Sequence, residues 1–264
     1  MRRFFGLVMA AALWQGPVAA APDAVELRYD VVTAGLTSLT LRFELRNEPD
    51  RYRVAADIET RGVLGFFVPW TMNVVAQGAS GGLRPNEFES SSVLYGTNRT
   101  TSMRFGRDGS IDATAVPPAR DDDRDPVPPE LTKGAVDVLT ALLRVARQIE
   151  QSGRCDVVVP VFDGRRRYDF VFTDAGSEPS ALVDLTMARR CTASVRKIAG
   201  FLKKPTPWDD SDGARAAAIV VGRLGADLPL LPVRLDMETP FGVARAELAG
   251  MRVNGVPRPL IAKN

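Results

Sequence analysis

The chain has 264 residues, 45% of them apolar, with 34 Lys and Arg against 32 Asp and Glu, for a net charge of +2. That is enough apolar material for a core and too little net charge to argue for a nucleic acid or an anionic membrane surface as partner. There is no histidine and there are only two cysteines. Ser-His-Asp and Cys-His catalysis cannot therefore be assembled, nor can a histidine-based or all-cysteine zinc site. No catalytic residue, metal or cofactor is expected.

Residues 1–20 read as a secretory signal. Arg2 and Arg3 open it, Phe4 to Trp14 is an apolar run too short to span a bilayer, and Val18-Ala19-Ala20 offers small residues for cleavage after Ala20. No cysteine stands there to take a lipid. Residues 21–264 are then expected as a single β-rich domain in the periplasm, without a stable transmembrane anchor once the signal is cut.

The mature chain opens with alternating runs, the mark of half-buried strands. They are Val25 to Val32, then Leu39, Leu41, Phe43 and Leu45 after Gly35, then Tyr52 to Thr60 after the Asn47–Asp50 turn. Gly62 to Trp70 is nearly all apolar. We read it as a strand or loop buried on both sides, with an apolar lip at a cavity mouth, built on Phe66, Phe67 and Trp70, as the functional alternative. Thr71–Ala79, Phe88–Tyr95 and Arg99–Arg107 continue the β series, with turns at 81–85 and at Arg107-Asp108-Gly109. Four aspartates among residues 121–125 lack the glycine and distal glutamate of an EF-hand loop and read as a solvated loop.

Between Leu131 and Gln151, Val136, Leu139, Leu142, Leu143, Val145, Ala146 and Ile149 recur at helical spacing. This is the one principal helix, with Thr132 and Asp137 at its start and Gly153 at its end. A hairpin follows, Cys155–Phe162 and Arg165–Phe172 around Asp163-Gly164. The arginines at 165–167 read as a solvated strand end rather than a phosphate site. Leu182–Val195 and Arg196–Leu202 read as two strands, Leu230–Glu238 and Gly242–Leu248 as a last hairpin, and the tail from Val253 as extended. Asp209, Asp210 and Asp212 beside Trp208 suggest a glycosidase-type carboxylate pair, but no second carboxylate across a cleft is identifiable.

An oxidising compartment and two cysteines imply one disulfide, Cys155 to Cys191. The pair lacks the two-residue spacing of a redox motif and reads as structural.

Several pieces, in order, resemble an exported bacterial family known only as domain of unknown function family 3108. They are the Tyr29 strand with Gly35, Gly82-Leu83-Arg84-Pro85 with Phe88, Asp137-Val138-Leu139-Thr140, Val161-Phe162-Asp163-Gly164 with Tyr168, and Leu231-Pro232-Val233-Arg234-Leu235 followed by Gly242 and Leu248. The resemblance implies a mainly β fold, a curved antiparallel sheet or incompletely closed barrel with one amphipathic helix packed on its concave face. By shape it is similar to periplasmic lipoprotein carriers and to β-spiral envelope-stability proteins. The expected function is non-catalytic support of the cell envelope, by binding a lipid, lipopeptide or partner polypeptide in the concave face. The alternatives are a carboxylate-dependent hydrolase acting on an envelope polymer and a structural partner in an envelope assembly.

Overall fold

The computed structural model describes residues 23–118, 124–178, 185, 187–204, 217–239 and 242–260. The expected signal at 1–20, the aspartates at 121–123 and Asp209, Asp210 and Asp212 lie outside the described residues.

The elements are β1 (Ala24–Thr33), β2 (Leu36–Asn47), β3 (Arg51–Thr60), α1 (Gly62–Phe67), β4 (Trp70–Ala79), β5 (Arg84–Leu94), β6 (Thr97–Phe105), β7 (Ile111–Val116), α2 (Pro129–Thr132), α3 (Val138–Ser152), β8 (Val157–Phe162), β9 (Arg167–Ser177), β10 (Ala188–Ala199), β11 (Ala217–Gly222), β12 (Leu231–Thr239), β13 (Gly242–Val253) and β14 (Val256–Arg258). The strands form one antiparallel sheet in the order β7-β6-β5-β4-β3-β2-β1-β13-β12-β11-β10-β9-β8, with β14 on β13. The chain thus winds outward from β1 to one edge, crosses through α2 and α3, and returns from the other edge until β13 pairs with β1. The fold is the mainly β, incompletely closed architecture expected, with α3 as its principal helix.

Alternation explains the layering. Val25, Leu27, Tyr29 and Val31 on β1, Phe43 and Leu45 on β2, and Tyr52, Val54 and Ala56 on β3 are buried on the concave side. The intervening positions carry Glu26, Arg28, Asp30, Arg42, Glu44, Arg53 and Asp57, so the convex face is charged.

Helix α3 closes one end of the curved sheet. Asp137 caps it, accepting from the Thr140 amide at 2.8 Å, and Gly153 ends it in the left-handed region. Leu139 enters the cluster formed mainly by β1–β6 with β12 and β13, while Ala141, Val145 and Ile149 enter the one formed mainly by β8–β11. Burying a large side chain of this kind contributes roughly 1.5–3 kcal/mol. Polar ties fix the helix against the sheet turns. Arg144 Nε and Nη2 donate to the Leu83 carbonyl, Arg147 Nη2 to that of Ser80, and the Tyr52 and Thr140 hydroxyls lie 2.7 Å apart.

The sheet edges β7 and β8 are not paired with each other; the segment before α3 fills the gap. Val136 donates to the Pro160 carbonyl and accepts from Phe162, one parallel rung on β8, and Gly134 donates to Gly109 in the β6–β7 turn. At the other end of this seam Arg165 Nη2 donates to the Pro117 carbonyl. Gly164 is required here: at φ +87 it lies so close to β6 that a Cβ would stand 2.3 Å from Thr101 Cγ2.

The structure corrects several boundaries. The expected strands at 182–202 are one described strand, β10. β7, β11 and β14 were not anticipated; the tail turns at Asn254-Gly255 and pairs back on β13 rather than running out. The helix starts at Val138, with the one-turn α2 separate. Gly62 to Pro69 is neither strand nor buried, and Trp70 opens β4 half-buried. Most of the run is α1, a short helix with no buried residue. Among the described residues no helix is long and apolar enough to cross a membrane.

Candidate functional site

The end of the sheet opposite α3 is formed by the β1–β2 turn, the β3–β4 connection and the β5–β6 turn. Leu39 pairs with Thr60 and Trp70 with Leu94, which sets these connections side by side. The β3–β4 connection is held at both feet. Thr60 Oγ1 donates to the Val68 carbonyl at 2.8 Å and accepts from the Trp70 amide at 2.9 Å, while the Arg61 amide donates to the Ser38 carbonyl. Gly65 lets α1 approach its own foot, since a Cβ there would stand 2.9 Å from the Thr60 carbonyl oxygen.

So clamped, α1 projects its apolar side chains outward. Phe66 is 81% and Phe67 66% exposed, their rings in edge-to-face contact at 5.1 Å. Val63, Leu36 and Tyr95 at the same end are also exposed. The buried reading of this run is therefore overturned: a six-residue helix has no second layer to pack beneath, and its clamp spends the backbone bonds at its ends rather than drawing its side chains in. Trp70 is placed differently. It is half-buried at the start of β4 and lines a small cleft of about 210 Å3 with Thr60, Gly65, Pro69 and Val93. Phe66 and Phe67 stand outside that cleft, so the three expected ligand-binding residues share one end of the molecule but not one pocket.

The concave wall below this rim is less sealed than the α3 end. Leu39, Leu41 and Met72 pack on the same cluster as the fully buried Phe43, Leu45, Val74 and Ala76, yet remain only half-buried. The pattern is an apolar interior closed by a helix at one end and graded toward accessibility at the other.

The disulfide is present. Cys155 and Cys191 are fully buried, with sulfurs 2.07 Å apart and Cα atoms 6.1 Å apart. Cys155 lies two residues before β8 and Cys191 within β10, so the bond spans β9. The arginines at 165–167 are not a solvated strand end: Arg165 reaches Pro117, Arg166 pairs with Asp163 at 2.8 Å and Arg167 with Asp169 at 2.6 Å. Asp125 of the aspartate run pairs with Lys203. Among the described residues no group of three or more Asp, Glu or Cys side chains is disposed to hold a metal ion.

Sequence reasoning missed a second concavity at the α3 end. It is a cleft of about 630 Å3 where the β4–β5 and β6–β7 turns meet the segment before α3. Its signal was present only as isolated arginines in separate turns.

This geometry defines a class: an antiparallel half-barrel sealed by one helix, with an apolar rim at its other end. The chain belongs to the family described as Protein of unknown function (DUF3108), which matches residues 25–249. A beta-barrel-like protein of the domain of unknown function DUF1849 from Brucella abortus, solved by crystallography, is similar in fold. It has a TM-score of 0.55 at 12% identity, covering 90% of this chain and 99% of that one. At that identity the likeness is one of fold alone. No curated protein matches the chain.

Proposed function

We propose that this protein is a non-catalytic periplasmic binding protein that supports the cell envelope, taking the apolar portion of a lipid, lipopeptide or partner polypeptide at the open end of its concave sheet. The observation that carries this reading is the exposed Phe66–Phe67 pair on a clamped helix, set beside inward leucines that stay half-buried. Large exposed aromatics in contact with each other and anchored at their base are a recognition feature, because a monomer gains nothing from holding them in water.

The test is purification from the periplasm under native conditions, with mass spectrometry of what co-purifies, alongside binding of a fluorescent fatty-acid probe. In the Phe66→Ser/Phe67→Ser variant, probe affinity is expected to fall about tenfold or more, as for removing two apolar anchors, with the thermal unfolding midpoint unchanged. Recovery of a partner protein without lipid selects the polypeptide arm. Failure of the wild-type protein to take up the probe and to retain any co-purifying molecule would overturn the reading.

A further inference from the structure

The cleft at the α3 end is lined by Arg84, Arg107 and Arg144, by Asn86, and by an apolar floor that includes Phe105 and Val136, with no carboxylate among its lining residues. A cleft of about 740 Å3 over β1, β2 and β13 shows the usual alternative, with Glu26, Glu44 and Asp57 set among its arginines. Three guanidiniums on one concave surface repel one another, and a fold ordinarily offsets that with acids or with separation. Here neither holds. Arg84 and Arg107 are exposed, and their side chains make no hydrogen bond or ion pair among the described residues. The nearby Asp108 is committed elsewhere, its Oδ1 accepting from the Ser110 amide at 3.1 Å and the Ser110 hydroxyl at 2.7 Å.

Arg144 is different. It is half-buried, its Nε and Nη2 are held by the Leu83 carbonyl at 3.3 and 3.1 Å, and its Nη1 has no partner among the described residues. Burial pushes its guanidinium below the usual range, against the opposing influence of Tyr52 and Asp137. The cleft therefore has one fixed cation on the helix and two free ones on separate turns.

We propose that this cleft is a binding site for a phosphate monoester, with Arg144 as the fixed contact and Arg84 and Arg107 closing over the phosphoryl group. A dianionic phosphoryl group presents three acceptor oxygens and matches several guanidinium forks at once, which a single carboxylate does not. Asn86 adds a neutral donor, and Phe105 and Val136 give the organic part of the ligand an apolar wall. The volume falls within the range of small-ligand sites. The site lies at the opposite end from the Phe66 rim and is independent of the function proposed above.

Calorimetry at low ionic strength with glycerol 3-phosphate and with a short-chain phosphatidic acid separates the two sources of such a group. Binding of both marks a free phosphorylated metabolite as sufficient; binding of the lipid alone marks a lipid headgroup. Either supports the site if affinity falls as salt rises and if Arg84→Gln/Arg107→Gln weakens it by about tenfold per guanidinium removed. That variant spares the packing because neither side chain bonds to the fold, and an unchanged melting curve verifies this. Failure of both probes to bind the wild-type protein, or equal affinity in the double variant, would overturn the proposal.

Discussion

Asp137 and Asp169 are both nearly sealed from solvent, and their environments drive them in opposite directions. Burial raises Asp137, and the hydrogen bonds from Thr140, amide and hydroxyl, offset it only in part. Burial also acts on Asp169, but Arg196 and Arg167 donate to its two oxygens at 2.6 Å each and hold it below the usual carboxylate range. The linkage signs follow. The folded state binds a proton at Asp137 more tightly than the unfolded chain does, so this group favours folding below its unfolded pKa and progressively less as pH rises through its raised one. Asp169 favours folding above its unfolded pKa, and that contribution is lost as pH falls through the depressed one. Asp137→Asn keeps an acceptor for the Thr140 amide and removes the titration. The stability of the wild type relative to this variant is therefore expected to decline with rising pH across the carboxylate range and above it, measured by urea unfolding at a series of pH values. A constant difference would contradict the assignment.

At the scale of elements, the disulfide ties the segment after α3 to β10 across β9. Closing a loop of 36 residues contributes about 3–4 kcal/mol in the chain-entropy account. Cys155→Ser/Cys191→Ser is expected to lose stability of that order in urea unfolding while keeping its β-type circular dichroism. An unchanged midpoint would show the bond to be dispensable. This link was legible because two cysteines leave one pairing. α3 was legible for a similar reason, since six of the seven apolar residues at helical spacing lie in it and admit one buried face, while Val136 belongs to the bridge on β8; the early strands were read from alternation. The failures have their own physics. α1 carries an apolar run, but burial depends on whether a second layer exists, which no local pattern encodes. β7 and β11 are six residues each, too short for alternation to stand out. The aromatic composition singled out Phe66 and Phe67, whereas their exposure and their separation from the Trp70 cleft depend on how the Thr60 clamp sets α1. The arginine cleft was illegible because its members come from β5, the β6–β7 turn and α3, which only the tertiary fold assembles.

At the scale of the molecule, the strand path among the described residues ends at β7 and β8, and these ends are joined by a seam rather than by a ladder. β1 is paired on both sides, with β2 and β13, over most of its length. The seam rests on few backbone bonds: Val136 to Pro160, Phe162 to Val136 and Gly134 to Gly109, all near 3.0 Å. Opening it exposes little beyond the segment before α3 and the faces of β7 and β8, whereas opening β1 breaks the centre of the sheet. Stability should therefore be graded, with the seam in a lower-energy opening unit than the centre. Native-state hydrogen exchange is expected to place the amides of Val136, Phe162 and Gly134 together in a unit of lower opening free energy, and those of Leu27 and Tyr29 close to the global value. Val136→Pro deletes one of these donors and should lower protection of Phe162 and of the β8 amides by about tenfold or more, as for loss of one hydrogen bond, while leaving β1 to β4 unaffected. Uniform loss of protection across all strands would mean that seam and centre unfold as one unit.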